Sequence, residues 1–448
     1  MRIGRKGWIA WVLSSLALSA PGMAQPTAAC RTRGQAALEA WTQGRYDQMG
    51  KDFAPVMAAK LTPGALRQVW TQLQVRAGAF RKLGELESRT VAGHDVLLAP
   101  MDFADASLAA VIACDAQDRI DGFRVVPSGA PPPQATSPEP AVPGTVSRDL
   151  PVPSPLGSLP GTLTLPVGKG PFPAVLLLAG SGAHDRDETI GSNKPLRDIA
   201  IGLAKAGIAS LRYDKRTYAY APQMVGKSIT IDDEVTDDAL SAAHLLGTQP
   251  QIDPHRLFVL GHSLGAMMAP RIGKRDPQLA GLILMAAPAR RIMDVIEQQV
   301  RQQLEKRGLS AAVVARAVRH VEAERRFLAQ ATPGQPAPKG KYGGMPQAYW
   351  LSWYRVDPAA TAAALPVPML ILQGGSDFQV SPVDDFGRWK QVLAGKSGVA
   401  FHLYPGLSHL FMPAGKTGTI KDYQVPAHVA PQVIHDVAAW IEAQPPRP

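Results

Sequence analysis

Apolar residues are arranged in two ways along this chain, and the change between them divides it. Gln35 to Trp41, Tyr46 to Phe53 and Leu66 to Leu73 repeat their apolar positions at helix spacing, the last opening after Thr62-Pro63. Strand-like runs follow at Leu83 to Val91, His94 to Leu98, Ala106 to Ile112 and Ile120 to Val126. A small α+β unit is expected over residues 25–126 once a leader is set aside. Residues 127–145 are Pro-rich, beginning Pro127-Ser-Gly-Ala-Pro-Pro-Pro-Gln. Proline removes backbone donors and fixes φ, so an extended linker is expected there.

From Val146 strands alternate with helices. Leu150 to Pro153 and Leu159 to Leu165 read as an opening antiparallel pair. Pro173 to Ala179 is a continuous apolar run of the kind buried on both faces of a parallel sheet. Ala209–Tyr213, Arg256–Leu260, Gly281–Met285, Pro368–Gln373 and Val399–Tyr404 are further strands. Helices are expected at Pro195 to Ala206, Asp232 to Leu246, Pro382 to Leu393 and after Pro431. Such alternation predicts a doubly wound α/β sheet over 146–448. Residues 290–360 break the rhythm with two long charged helices, Ile292 to Arg307 and Ser310 to Ala331. The aromatic group Tyr349, Trp350, Trp353 and Tyr354 follows. An inserted helical lid is expected, with the aromatics either lining an acyl pocket or forming the lid's own core.

Composition changes the picture only at the N-terminus. The chain has 448 residues, 46% apolar and 19% charged, which is ordinary globular material. Arg2, Arg5 and Lys6 precede a mainly apolar stretch of 14 residues, Gly7 to Ala20, and then Gly22-Met-Ala24. That is the layout of a secretory signal peptide over residues 1–24; an uncleaved anchor is the alternative. The apolar stretch is short for a bilayer span, and no membrane span is expected after its removal. Removal also takes the formal charge from +10 to +7, spread along the chain without basic runs interleaved with aromatics. Nucleic acid is therefore not an expected partner. The two cysteines, Cys30 and Cys114, both precede the linker. In an exported chain they are expected to pair as a disulfide. Neither has a second Cys or a His at ligand spacing, so no metal site is expected.

The chemistry centres on Gly261-His-Ser-Leu-Gly265, a G-x-S-x-G pentapeptide between the strand Arg256–Leu260 and a helix-compatible segment. That context is what a nucleophile elbow requires, with Ser263 at the tip of a tight turn. An acid and then a histidine should follow, each in a loop after a late strand. Asp377 lies in Gln373-Gly-Gly-Ser-Asp377, and His409 in Pro405-Gly-Leu-Ser-His409. Asp384 and Asp385 are weaker acids, since they fall in the next helix. His409 would take the Ser263 proton and Asp377 would orient the imidazole. An oxyanion needs two backbone donors, for which Leu264 and Ser181 (with Gly182 second) are the candidates. Asp185-Arg186-Asp187 and Arg212-Tyr-Asp-Lys-Arg216 read either as an ion-pair network bracing the loop at 181 or as solvated charge.

Four blocks carry a resemblance. Gly180-Ser-Gly-x-x-Asp-Arg-Asp-Glu188, Gly261-His-Ser-Leu-Gly-Ala266, Gln373-Gly-x-x-Asp-Phe-Gln-Val380 and Tyr404-Pro-Gly-Leu-Ser-His-Leu-Phe411 together look like the α/β-hydrolase family. They are most similar to a group of bacterial secreted carboxylesterases near its serine-aminopeptidase-like and dienelactone-hydrolase-like branches. Residues 30–126 resemble a nuclear-transport-factor-like (cystatin-like) domain. The resemblance implies an α/β-hydrolase domain behind a small accessory domain, with Ser263, Asp377 and His409 as the triad. It implies short-chain acyl esters as small-molecule substrates and no cofactor. A secreted, periplasmic serine esterase is the expectation. A peptidase or amidase of the same fold, hinted at by the lid acids Glu322 and Glu324, is the enzymatic rival. A non-catalytic binding protein on a hydrolase scaffold is the rival from another class.

Overall fold

The computed structural model describes residues 27–447 apart from 92–93, 105, 128–140, 225–226, 307, 333–346, 415–417, 420–421 and 424. The expected signal peptide and most of the expected linker lie outside the described residues. The chain divides into two compact units, one built on the N-terminal segment and one on the segment after the linker.

In the first unit helices come before sheet. Ala28–Thr42 and Pro63–Ala77 each open on a threonine whose hydroxyl accepts from a first-turn N–H, at Thr27 and Thr62. The segment expected as one helix from Tyr46 to Phe53 is a helix at Tyr46–Met49 and a 3-10 turn at Gly50–Asp52. A short helix at Pro55–Lys60 had no periodicity long enough to be read. Five antiparallel strands follow: β1 (Phe80–Leu83), β2 (Glu87–Val91), β3 (His94–Phe103), β4 (Ser107–Cys114) and β5 (Ile120–Pro127). The single strand expected over Leu83 to Val91 is thus two. Both halves pair with the long β3, and the chain steps between them at Gly84, whose N–H donates to Pro100 O at 2.7 Å. Trp41, fully buried, donates its indole N–H to Leu66 O and packs against Trp70 and Phe123 at 4.9 and 5.0 Å between ring centroids.

Cys30 and Cys114 form the expected disulfide, across a sequence separation of 84 residues. Closing a loop of that length restricts the unfolded chain by roughly 3–5 kcal/mol. With no other cysteine in the protein, a reductant reports on this bridge alone. Dithiothreitol is expected to lower the calorimetric melting temperature of the N-terminal unit, and a Cys30→Ser/Cys114→Ser variant should melt at that lower temperature with no further response to reductant. Unchanged melting in both would mean the bridge contributes nothing.

The second unit is an eight-stranded sheet of β6 (Thr145–Asp149), β7 (Gly161–Pro166), β8 (Phe172–Leu178), β9 (Ala209–Tyr213), β10 (Ile252–His262), β11 (Gly281–Met285), β12 (Met369–Gly374) and β13 (Val399–Tyr404). Its order is β13-β12-β11-β10-β8-β9-β7-β6. Strands β9, β8, β10, β11, β12 and β13 run parallel, and β7 and β6 close one edge antiparallel. The opening pair is displaced from the expected one: Thr145–Asp149 pairs with Gly161–Pro166, and the Leu150–Pro153 stretch keeps the Leu150 N–H bond to Gly161 O and a Val152–Leu159 bridge. Pro151 and Pro153 have no N–H to give a ladder, which explains the shift.

Alternate residues of the central strands (Val175 and Leu177, Phe258 and Leu260, Ile283 and Met285, Leu370 and Leu372) pack on helices Pro195–Lys205 and Pro431–Glu442. Helices Asp237–Gly247 and Leu264–Arg275 pack on the same strands from the opposite face. Two expected helices begin with a π turn, at Asp232–Thr236 and Pro382–Phe386. The lid consists of Ile292–Lys306, Ala311–Gln330, Gln347–Tyr354 and Pro358–Ala363.

Candidate active site

Strand β10 runs straight into Ser263, which stands at φ 51°, ψ −112° before helix Leu264–Arg275. A non-glycine residue in that region is strained, and the strain is held by its surroundings. The Ser263 N–H donates to Met285 O at 2.9 Å, prolonging the β10–β11 ladder into the turn. The flanking glycines are steric requirements. A Cβ on Gly261 would lie 2.2 Å from Gly265 C, and one on Gly265 would lie 2.7 Å from Leu178 O. Strand, turn and helix therefore approach closely enough only with glycine at both places. Leu264 is the first helical residue, so its N–H has no intrahelical acceptor.

Asp377 and His409 sit in the loops after β12 and β13, on the sheet edge where β10 delivers Ser263. His409 Nδ1 lies 2.7 Å from Asp377 Oδ2, and both residues are buried. The Asp377 carboxylate is fully engaged. Oδ1 accepts the Gln379 and Val380 N–H groups at 2.8 and 2.9 Å, and Oδ2 also accepts Gln373 Nε2 at 2.9 Å. Asp384 and Asp385 stand elsewhere. Asp385 receives Arg290 and the Ala289 N–H, and Asp384 bonds Ser381 and Gln298.

The loop after β8 is the third wall. Ser181 is exposed there, beside Gly182 at φ 112°. Lys215 Nζ donates to Gly180 O at 2.9 Å and is ion-paired with Glu234, all three groups being buried. The Gly180 carbonyl and the Ser181 N–H belong to one planar peptide unit, so Lys215 fixes the direction of that N–H. The charge-rich runs on either side are an ion-pair network. Arg212, fully buried, meets Asp187; Asp187 also meets Lys194 at 2.9 Å. Arg186 meets Asp214 at 2.9 Å, and Arg216 meets Asp238 at 2.6 Å. Removing one partner would strand a buried charge, so the network holds the loop in one conformation.

Two functional candidates were not visible in the sequence. His262, beside Ser263, places Nδ1 2.9 Å from Glu188 Oε1 and Nε2 2.9 Å from His409 O. Glu188 Oε1 also accepts the Gly180 N–H at 2.7 Å. The partners are 74 and 147 residues away, and no local pattern announces them. The lid aromatics resolve toward packing. Tyr349 and Trp353 are buried, Tyr349 OH donating to Glu234 Oε2 at 2.6 Å and Trp353 Nε1 to Met267 Sδ at 3.4 Å. The lid acids pair within their own helix, Glu324 with His320 and Glu322 with Arg326. A cavity of about 380 Å³ lies between lid helix Ile292–Lys306 and the Asp377 loop, lined by Gln302, Glu305, Lys306, Ser376 and Phe378.

The family model described as serine aminopeptidase, S33, matches residues 191–337. Esterase EstD of Thermotoga maritima is 33% identical over 389 residues, covering 86% of this chain and 88% of that protein. That share is more than residues 146–448 can supply, so the match reaches into the N-terminal unit. Among solved structures, the esterase domain of a Rhodothermus marinus protein aligns with 67% of this chain and 99% of its own at TM-score 0.40 and 16% identity. A puromycin-hydrolysing peptidase of Mycobacterium tuberculosis aligns with 80% of this chain and 53% of its own at TM-score 0.45 and 15% identity. With a relative one-third identical along most of both chains, and a mostly parallel sheet that ends its central strand in a G-x-S-x-G turn, this chain belongs to the α/β-hydrolase family as a carboxylesterase-like hydrolase.

Proposed function

We propose that this protein hydrolyses short-chain carboxylic esters through an acyl-enzyme on Ser263, with His409 as general base and Asp377 as its orienting acid. The observation that carries the reading is the buried 2.7 Å contact between His409 Nδ1 and Asp377 Oδ2 on the sheet edge that presents Ser263. Asp377 engages one ring nitrogen, leaving Nε2 as the position that takes the Ser263 proton as Oγ attacks the ester carbonyl. The tetrahedral oxyanion is received by the N–H groups of Leu264 and Ser181, each such donor being worth about 10²–10³ in kcat. His409 then protonates the departing alcohol, and water, activated by the same imidazole, releases the acid and regenerates Ser263.

Short acyl chains are favoured because two of the four lid aromatics, Tyr349 on Glu234 and Trp353 on Met267, are taken up in packing and not left to line a long apolar groove. Export to the periplasm completes the proposal, supported by the leader-like residues 1–24 and by the Cys30–Cys114 bridge, which persists in an oxidising compartment. The test is a p-nitrophenyl ester series from acetate to palmitate. The highest kcat/KM is expected at acetate or butyrate, with a steep fall beyond. A protein inert on every ester yet active on aminoacyl p-nitroanilides would replace the esterase reading with a peptidase one.

A further inference from the structure

We propose that the buried Glu188–His262 pair is a positioning device that locks the nucleophile strand, the oxyanion loop and the His409 loop into one register, and that turnover requires the proton it holds. The proposal rests on the reading of Ser263 and His409 given above. Its evidence is a single chain of contacts through three loops. His409 O can only accept, so His262 Nε2 must carry a hydrogen. Glu188 Oε1 already accepts the Gly180 N–H and takes its second hydrogen bond from His262 Nδ1. Acceptors at both ring nitrogens make His262 an imidazolium, with Glu188 as its counter-ion.

The geometry is built for this pair. Glu188 stands at φ 54°, a backbone conformation costly for its side chain. Gly180 must be glycine, since a Cβ there would lie 2.7 Å from Glu188 Oε1, 3.2 Å from Ser263 Cβ and 3.5 Å from His262 Nδ1. The pair therefore lies directly behind the nucleophile. It does not touch substrate. It acts on His409 through the main-chain carbonyl, and on the oxyanion loop through the Gly180 N–H. Lys215 grips the carbonyl of the same glycine from the other side.

Charged and titratable groups surround the pair on every side. Glu188 faces His262, His184 and Tyr423; His262 faces Glu188, the His409 ring at 4.7 Å between centroids, and the Asp377 charge; Lys215 bears on His184. Burial alone would lower the His262 pKa, but the Glu188 charge and hydrogen bond, the His409 carbonyl and Asp377 outweigh it and leave it above the ordinary 6.5. Burial would raise the Glu188 pKa, but His262, His184 and the Gly180 N–H outweigh that and leave it below 4.5. The signs fix the window. A raised His262 pKa gives stabilisation that is full below the unfolded value and is lost as pH rises through the folded one. A depressed Glu188 pKa gives stabilisation present above its unfolded value and lost as pH falls through the folded one. The pair holds the loops between those limits, and the alkaline limb of turnover reports the loss of the His262 proton.

The experiment is the pH profile of kcat and KM on p-nitrophenyl acetate for wild type, Glu188→Gln and His262→Gln. Glutamine at 188 keeps the Oε1 acceptor, and its amide replaces Oε2, which has no hydrogen-bond partner among the described residues. The variant therefore removes charge while keeping shape. Its alkaline limb in kcat is expected to move down by about one pH unit or more, a tenfold or larger change in proton affinity, with KM little changed. His262→Gln can still donate to His409 O but does not titrate, so its alkaline limb should vanish and its kcat should fall by a constant factor. Nitrogen-15 NMR of the wild-type protein gives a reading that needs no variant to fold: both His262 ring nitrogens should be protonated at pH 7. The proposal is overturned if that ring carries one proton, or if both variants lose activity equally at every pH with the alkaline limb unmoved. Fluorophosphonate labelling separates the two levels. A wild type that is not labelled at Ser263 refutes the triad reading, whereas normal labelling with an unmoved limb refutes only the role of the pair.

Discussion

Ester hydrolysis by the Ser263→Ala protein is expected to fall about 10⁶-fold in kcat, the loss found when a triad's nucleophile is removed. Alanine carries a Cβ as serine does, so the cost of the φ of 51° is unchanged. It removes only Oγ, leaving the Ser263 N–H bond to Met285 O and the packing of both flanking glycines intact. Melting temperature should therefore stay within a few degrees of wild type, which separates lost chemistry from lost fold. The residual rate above water belongs to the oxyanion donors and to binding. The check is initial-rate kinetics on p-nitrophenyl acetate at high enzyme concentration, with fluorophosphonate titration to exclude contaminating wild type. A variant retaining a tenth of wild-type activity would remove Ser263 from the mechanism.

Asp377→Asn should cost about 10⁴ in kcat, with a much smaller change in KM. The hydrogen bonds determine how. The Gln379 and Val380 N–H groups both point at Oδ1, so the asparagine must keep its carbonyl oxygen there. Its NH2 then faces His409 Nδ1 and Gln373 Nε2 in place of Oδ2. A donor opposite Nδ1 makes that nitrogen the acceptor and puts the ring proton on Nε2, the position that on the triad reading receives the Ser263 proton. The imidazole is then held in the wrong tautomer, and its cation has lost its counter-charge. Gln373 meets donor with donor and must turn its amide, so some loss of stability is also expected. Measuring kcat and KM separately decides the matter. A drop of less than tenfold in kcat would mean that Asp377 is a turn residue and that another acid serves His409.

The residues named in these two experiments could be read from the sequence because each depends on local turn chemistry. A strand, a glycine-flanked serine and a helix must make a sharp turn whatever surrounds them. Asp377 and His409 each lie a few residues past an unmistakable apolar strand. The sheet was legible for the same reason, since Ala209–Tyr213, Gly281–Met285 and Val399–Tyr404 are runs bounded by glycine, proline or charge. What was not legible depends on partners distant in sequence. The charged runs at 185–187 and 212–216 suggested a network, but only the fold decides that Asp187 takes Arg212 and that Asp214 takes Arg186. His262 occupies a pentapeptide position that carries no signal of its own, and its meaning lies in Glu188 and the His409 carbonyl. The lid aromatics have helical spacing, which places them on a helix without saying what that helix faces. The π turns at 232–236 and 382–386 leave the hydrophobic period nearly unchanged and so look like ordinary helix starts.

The order of strands also bears on when the protein becomes reactive during folding. Ser263 follows β10, near the middle of the sheet, whereas His409 follows β13, which pairs with β12 alone and ends the row. Parallel pairings between segments far apart in sequence form slowly, because a long loop must close before any contact compensates it. Strand β12, and β13 with it, reaches β11 only by closing the lid segment 286–368, whereas β10 meets β11 across residues 263–280. On the triad reading, the nucleophile is thus assembled first and armed last. On the same reading, chains whose sheet is still open are expected to hold a serine with no base to activate it, and so to be inert toward acyl groups.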